Sequence, residues 1–181
     1  MTDRLKDYID TNMLQKLQDG FANVTGMSAV TYCESGFITR ISNPSEFSVK
    51  YSKDSALGGQ DNITNAKIIK SGRPSVYYTK SGLSEIGVAI VINGKQLATI
   101  VAGQVLDDQI NESKATRIAD DLGFNSADFI NDLKNVKVIS KNKITSASDF
   151  LYTIVQMISS STKAAPSLPS YQEMTFSGDF W

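Results

Sequence analysis

The chain has no histidine and a single cysteine, Cys33. Histidine is the commonest general base near neutral pH and the commonest metal ligand. Ser-His-Asp and Cys-His arrangements therefore cannot be assembled within this chain. A Cys/His zinc site is excluded in the same way. Carboxylate and lysine chemistry remain, with Asp61, Glu85 and Lys80 as the available acid-base groups. No motif accompanies them. Gly58-Gly59 belongs to neither a GxGxxG nor a P-loop pattern. The expectation is no catalysis, no metal and no cofactor, and the side chains are read for recognition.

Among the elements that would position these side chains, Pro74–Leu106 is the best-patterned stretch. Asn93-Gly94 between two apolar runs is a strong hairpin signal. The runs are Leu83–Ile92 and Lys95–Leu106, with Ser75–Thr79 before them. Gly87 and Gly103 interrupt the runs, and a glycine within a strand marks a bulge or a close backbone approach. Two further β-like runs, Met27–Cys33 and Phe37–Ile41, flank the turn Glu34-Ser35-Gly36. Alternation puts Tyr77 and Thr79 on one strand face and Tyr78 on the other. It leaves open which face lines a pocket.

Helical periods surround these strands. Leu5, Ile9, Met13, Leu17 and Phe21, spaced by four, predict one amphipathic helix over Arg4–Val24, stopped by Gly26. Ser45–Lys53 is read as a short helix, and Asp61 or Asn62 as the cap of another running to about Lys70. Glu112–Leu122 is a helix closed by Gly123, and Ser126 caps the next. Val136–Ile139 is a brief extended piece, and a long helix begins at Ser140 or Thr145 and ends near Ser159–Ser161. Residues 163–181 hold Pro166, Pro169 and several serines, and read as a linker or tail. The domain is expected over residues 1–162.

Composition bounds the class. At 181 residues, with 41% hydrophobic and 20% charged residues, this is one globular domain with a good core. A net charge of −1 gives no footprint for nucleic acid. No apolar run of about 18 residues is present, so no membrane span is expected. The charged opening MTDRLKDYID is unlike a signal peptide, and one cysteine suits the cytoplasm.

Several short motifs, in order, resemble those of PocR-type sensory domains, a variant of the PAS-like ligand-binding fold. Leu17–Gly26 is similar to the family's LQ-aF-a-tG helix ending. Phe47-Ser48 resembles its Phe-Cys pair, Asp61 its acidic helix start, and Gly72-Arg73-Pro74 its GKP turn. Tyr77–Leu83 resembles its tyrosine strand and Gly-Leu, and Gly103-Gln104-Val105-Leu106 the end of its last strand. The likeness spans about Leu5 to Ile158. It implies an α+β, PAS-like fold: a five-stranded antiparallel sheet with helices on one face and long N- and C-terminal helices.

The resemblance implies a cytoplasmic sensor of a small organic metabolite, such as a diol or short acid. Such a sensor signals to an output domain: a chemoreceptor (chemotaxis), a histidine kinase or a transcription regulator. A homodimer is compatible with the terminal helices. The pocket would lie between the sheet and the segments Ser45–Tyr51 and Asp61–Lys70. Phe47, Tyr51 and Tyr77 are the expected apolar ligand-binding wall, with Ile86 beside them. Thr79, Ser81, Glu85 and Gln104 are the expected polar contacts, with Lys80 offering charge to an anion. Thr79-Lys80 stands where relatives carry Cys-His, so their metal or redox chemistry does not transfer. The alternative reading is a ligand-free interaction or dimerisation module.

Overall fold

The computed structural model describes residues 4–51 and 73–161. The expected helix from Asp61 and the tail beyond residue 162 lie outside the described residues. Five strands form one antiparallel sheet: β1 Ser28–Cys33, β2 Gly36–Phe37, β3 Ser75–Tyr78, β4 Ser84–Ile92 and β5 Lys95–Val105. Their order is β2-β1-β5-β4-β3. With its helices this is the open sheet of an α+β, PAS-like domain. The β4–β5 hairpin turns at Asn93 and Gly94, both at positive φ (53° and 76°), as a two-residue primed turn requires. The second run of the first hairpin pairs over only two residues. After β2 the chain leaves the ladder, returning at the single bridge Ala29–Ser42.

The N-terminal helix is shorter than expected. A 3₁₀ turn at Leu5–Asp7 comes first, and α1 runs Thr11–Thr25. Asp10 breaks the two apart, because its carboxylate caps α1 by accepting from Asn12 N (2.8 Å) and Met13 N (3.4 Å). The buried stripe of α1 is Leu14, Gln18, Phe21 and Ala22, and Met13 is 64% exposed. A spacing of four drifts by about 40° per step around a helix of 3.6 residues per turn. A strictly four-spaced row therefore cannot stay on one face. Gly26 ends α1 in the left-handed region (φ 70°), its N–H bonded to Ala22 O at 2.7 Å.

The remaining helices are α2 Glu46–Tyr51, α3 Glu112–Leu122, α4 Ser126–Leu133 and α5 Lys141–Ser161. Asn111 caps α3, and Asn125, one residue before the expected Ser126, caps α4. Two cores result. Leu14, Phe21, Ile86, Val88, Ile90, Ile100, Leu151 and Val155 join α1 and α5 to one sheet face. Phe47, Tyr51, Leu83, Ala119, Phe129 and Leu133 join α2, α3 and α4 where β4 begins and β5 ends. The chain re-enters beside β5 after α4. Leu106 N donates to Lys137 O (2.9 Å), and Ile139 N to Leu106 O (2.8 Å).

Candidate functional site

Gly103 and Gln104 make a bulge. Glu85 pairs with Gly103 and Ser84 with Val105, so Gln104 is the extra residue on β5. Gly103 sits at φ 137° and Gln104 at φ 59°. A Cβ on Gly103 would lie 2.5 Å from Ser84 O and 2.7 Å from Glu85 Cα, so only glycine lets β4 and β5 close here. Bulges re-aim side chains. Gln104 is only 5% exposed, lines a cleft of about 760 Å³, and its Oε1 has no hydrogen-bond partner among the described residues.

The cleft runs from the end of α1 (Ala22, Gly26) across Ser28 and Asn43–Phe47 to Gln104 and Val105. Its far wall is Asp132 and Asn135–Lys137. Ser28 Oγ donates to Asn43 O (2.7 Å), holding the loop against β1. Phe47 supplies the apolar side. Its ring lies 4.6 Å from that of Tyr51 and 5.1 Å, edge-on, from that of Phe129.

Tyr51 is buried in that aromatic group and donates its hydroxyl to Asp132 Oδ2 at 2.7 Å. Burial first, then this bond, pushes its phenol above the usual range. Lys50 Nζ meets the same oxygen at 2.6 Å. The Asp132 bond, then that to Tyr51, raises Lys50 to about 12. Asp132 is lowered in turn, by Lys50 first and Tyr51 second.

The other expected residues separate into two groups. Tyr77 and Glu85 are cross-strand partners, and Tyr77 Oη donates to Glu85 Oε2 at 2.9 Å. Glu85 is 0% exposed. Register places both on the sheet face opposite the α1–α5 core, with Gly103 between Glu85 and Ser28. Thr79 and Ser81 lie in the β3–β4 turn. Thr79 Oγ1 and Ser81 Oγ bond to each other (2.9 Å), and Leu83 N donates to Thr79 Oγ1 (3.1 Å). Lys80 is exposed at the tip of that turn. The structure thus brings Phe47 and Gln104 to one cleft and pairs Tyr77 with Glu85.

Sequence reasoning missed Asp132, Lys137 and Glu46, which contribute charge to the cleft. Nothing local marks them, since they come from three separate segments. Among the described residues no cluster of acidic, histidine or cysteine side chains could hold a metal ion. Among the same residues no helix is long and apolar enough to cross a membrane.

An open α+β sheet of this order defines the class as a PAS-like domain. A family model described as the sensory domain found in PocR matches residues 7–163, and the chain belongs to that family. No curated protein and no solved structure matches the chain.

Proposed function

We propose that the chain is a cytoplasmic, non-catalytic sensory domain that binds a small organic metabolite and signals to an output domain. The output is a chemoreceptor signalling domain, a histidine kinase or a transcription regulator. The observation that carries this reading is Gln104: a bulge residue that lines a cleft large enough for a metabolite and whose buried side-chain oxygen has no partner among the described residues. Phe47 and Gln104 are the proposed core of the ligand-binding set. Tyr51, Tyr77 and Glu85 support them, and Thr79 and Ser81 hold the turn that leads into β4. The bound ligand acts by its differential affinity for two arrangements of the terminal helices.

A thermal-shift screen of polyols, short acids and amino acids tests this. Saturable stabilisation by one compound class, lost in Gln104→Leu, is expected. No stabilisation by any compound would sink the reading.

Homodimerisation belongs to the same proposal. Met13, Leu17, Gly20 and Val24 on α1, and Phe150, Ile154 and Met157 on α5, recur at coiled-coil spacing. Met13, Val24, Phe150 and Met157 are exposed. Phe21, in the buried stripe of α1, and Phe150 stack at 6.4 Å between centroids, bringing the two helices side by side. Sedimentation equilibrium with Val24→Glu/Met157→Glu checks it, a monomer being the expected outcome. A parent chain that is already monomeric at high concentration would remove the dimer from the proposal.

A further inference from the structure

The cleft is lined by three residues whose polar capacity the described residues do not fully use. The first is Gln104 Oε1, an acceptor on a side chain 5% exposed. A buried acceptor without a donor bears the full desolvation cost of that oxygen. The second is the Lys137 ammonium. It donates to Thr25 O at 3.4 Å, at the end of α1, and among the described residues no carboxylate stands within ion-pair distance. An ammonium has three donors, so this contact leaves two. The third is Glu46, exposed at the start of α2 and without an ion pair among the described residues. The other two charges of the cleft, Lys50 and Asp132, are spent on each other.

Their placement is fixed by the fold. Lys137 O accepts from Leu106 N, two residues beyond Gln104, so the cation and the buried acceptor stand on neighbouring strands of chain. The Lys137 side chain crosses Gly26, where a Cβ would fall 1.8 Å from Nζ. Phe47, next to Glu46, gives the same cleft an apolar lining.

We infer that the ligand is a small zwitterion, an amino acid or amino carboxylate. Its carboxylate meets Lys137, and its ammonium meets Glu46 and Gln104 Oε1. A diol would satisfy Oε1 and leave both charges unused. A simple carboxylate would bring a second negative charge beside Glu46, and a simple amine a second positive charge beside Lys137. This inference rests on the sensory reading above and names the ligand class of that same site.

Isothermal titration of the full chain tests it. The probes are the proteinogenic amino acids and β-alanine, set against acetate, propionate, propylamine and propane-1,2-diol. At least one amino acid is expected to bind a single site, with the matched acid, amine and diol weaker by about tenfold or more. Lys137→Gln and Glu46→Gln are each expected to lower that affinity by about tenfold. Both residues are exposed, and the ligand series on the unaltered chain decides without the variants. A diol or simple acid that binds as tightly as any amino acid overturns the inference and leaves the sensory reading standing. Amino-acid affinity unchanged in both variants does the same. Absence of binding by every probe here and in the wider screen overturns both.

Discussion

Two glutamines of this chain are almost equally buried and have opposite surroundings. Gln18, 1% exposed, spends its whole amide. Its Nε2 reaches Ala29 O (3.0 Å), Arg40 O (2.8 Å) and Ser42 Oγ (2.8 Å). Its Oε1 accepts from Thr31 Oγ1 (3.0 Å) and Thr39 Oγ1 (2.7 Å). These bonds tie α1 to β1 and to the segment that returns after β2. Gln104, 5% exposed, lines a cleft and has a buried Oε1 without a partner among the described residues. A satisfied buried amide specifies one packing, whereas an unsatisfied one carries the desolvation cost of its oxygen, which the proposed ligand would relieve.

Breaking the first glutamine should have the largest effect. Gln18→Leu strands the Thr31 and Thr39 hydroxyls in the α1–β1 joint and removes the amide's bonds to Ala29 O, Arg40 O and Ser42 Oγ, and should destabilise by about 4 kcal/mol in urea unfolding. Gly103→Ala should follow at about 3 kcal/mol, because its Cβ collides with the Ser84 and Glu85 backbone at a positive φ. It should also abolish ligand binding with the bulge. Gln104→Leu should shift stability by less than about 1 kcal/mol, since it removes an unsatisfied oxygen, yet it should lose binding. A loss of stability like that of Gln18→Leu would erase the contrast between the two glutamines.

The smallest effect concerns the Lys50–Asp132 pair that lines the cleft. Asp132 is lowered from 3.8, so its contribution is present above that value and is lost as pH falls through the folded value. Lys50, raised from 10.5 to about 12, contributes below 10.5 and loses its contribution as pH rises through about 12. Both groups are solvated, so the effect is small. Thermal unfolding of Asp132→Asn across pH should show a flatter acid limb than the parent and little change at pH 7.

The contrast also explains what could be read from the residues. The Asn93-Gly94 turn and the β4–β5 pair were legible, because turn chemistry and β-branched runs agree locally. Glu112–Leu122 was legible to its ends, with Asn111 before it and Gly123 after. Gly87 and Gly103 alike offered a bulge or a close backbone approach; Gly103 has both, whereas Gly87 pairs in register with Val101. The direction in which the bulge turns Gln104 depends on β4, and so was not written nearby. Gln18 was hidden for another reason. A polar residue in a buried helical row breaks the apolar pattern, and its five partners come from β1 and residues 39–42. Asp10 masked the break in the N-terminal helix, since a row of four-spaced apolar residues runs through it. The charges of the cleft gather from α2, α4 and residue 137, which no single window contains.

The bridge at Leu106–Val138 has a mechanical meaning. It clamps the chain two residues after Gln104 and three residues before α5 begins. The bulge and the base of a 21-residue helix therefore share one anchor. At 1.5 Å per residue that helix is about 30 Å long. It is a lever: a tilt of about 5° at the anchor sweeps its far end by about 3 Å.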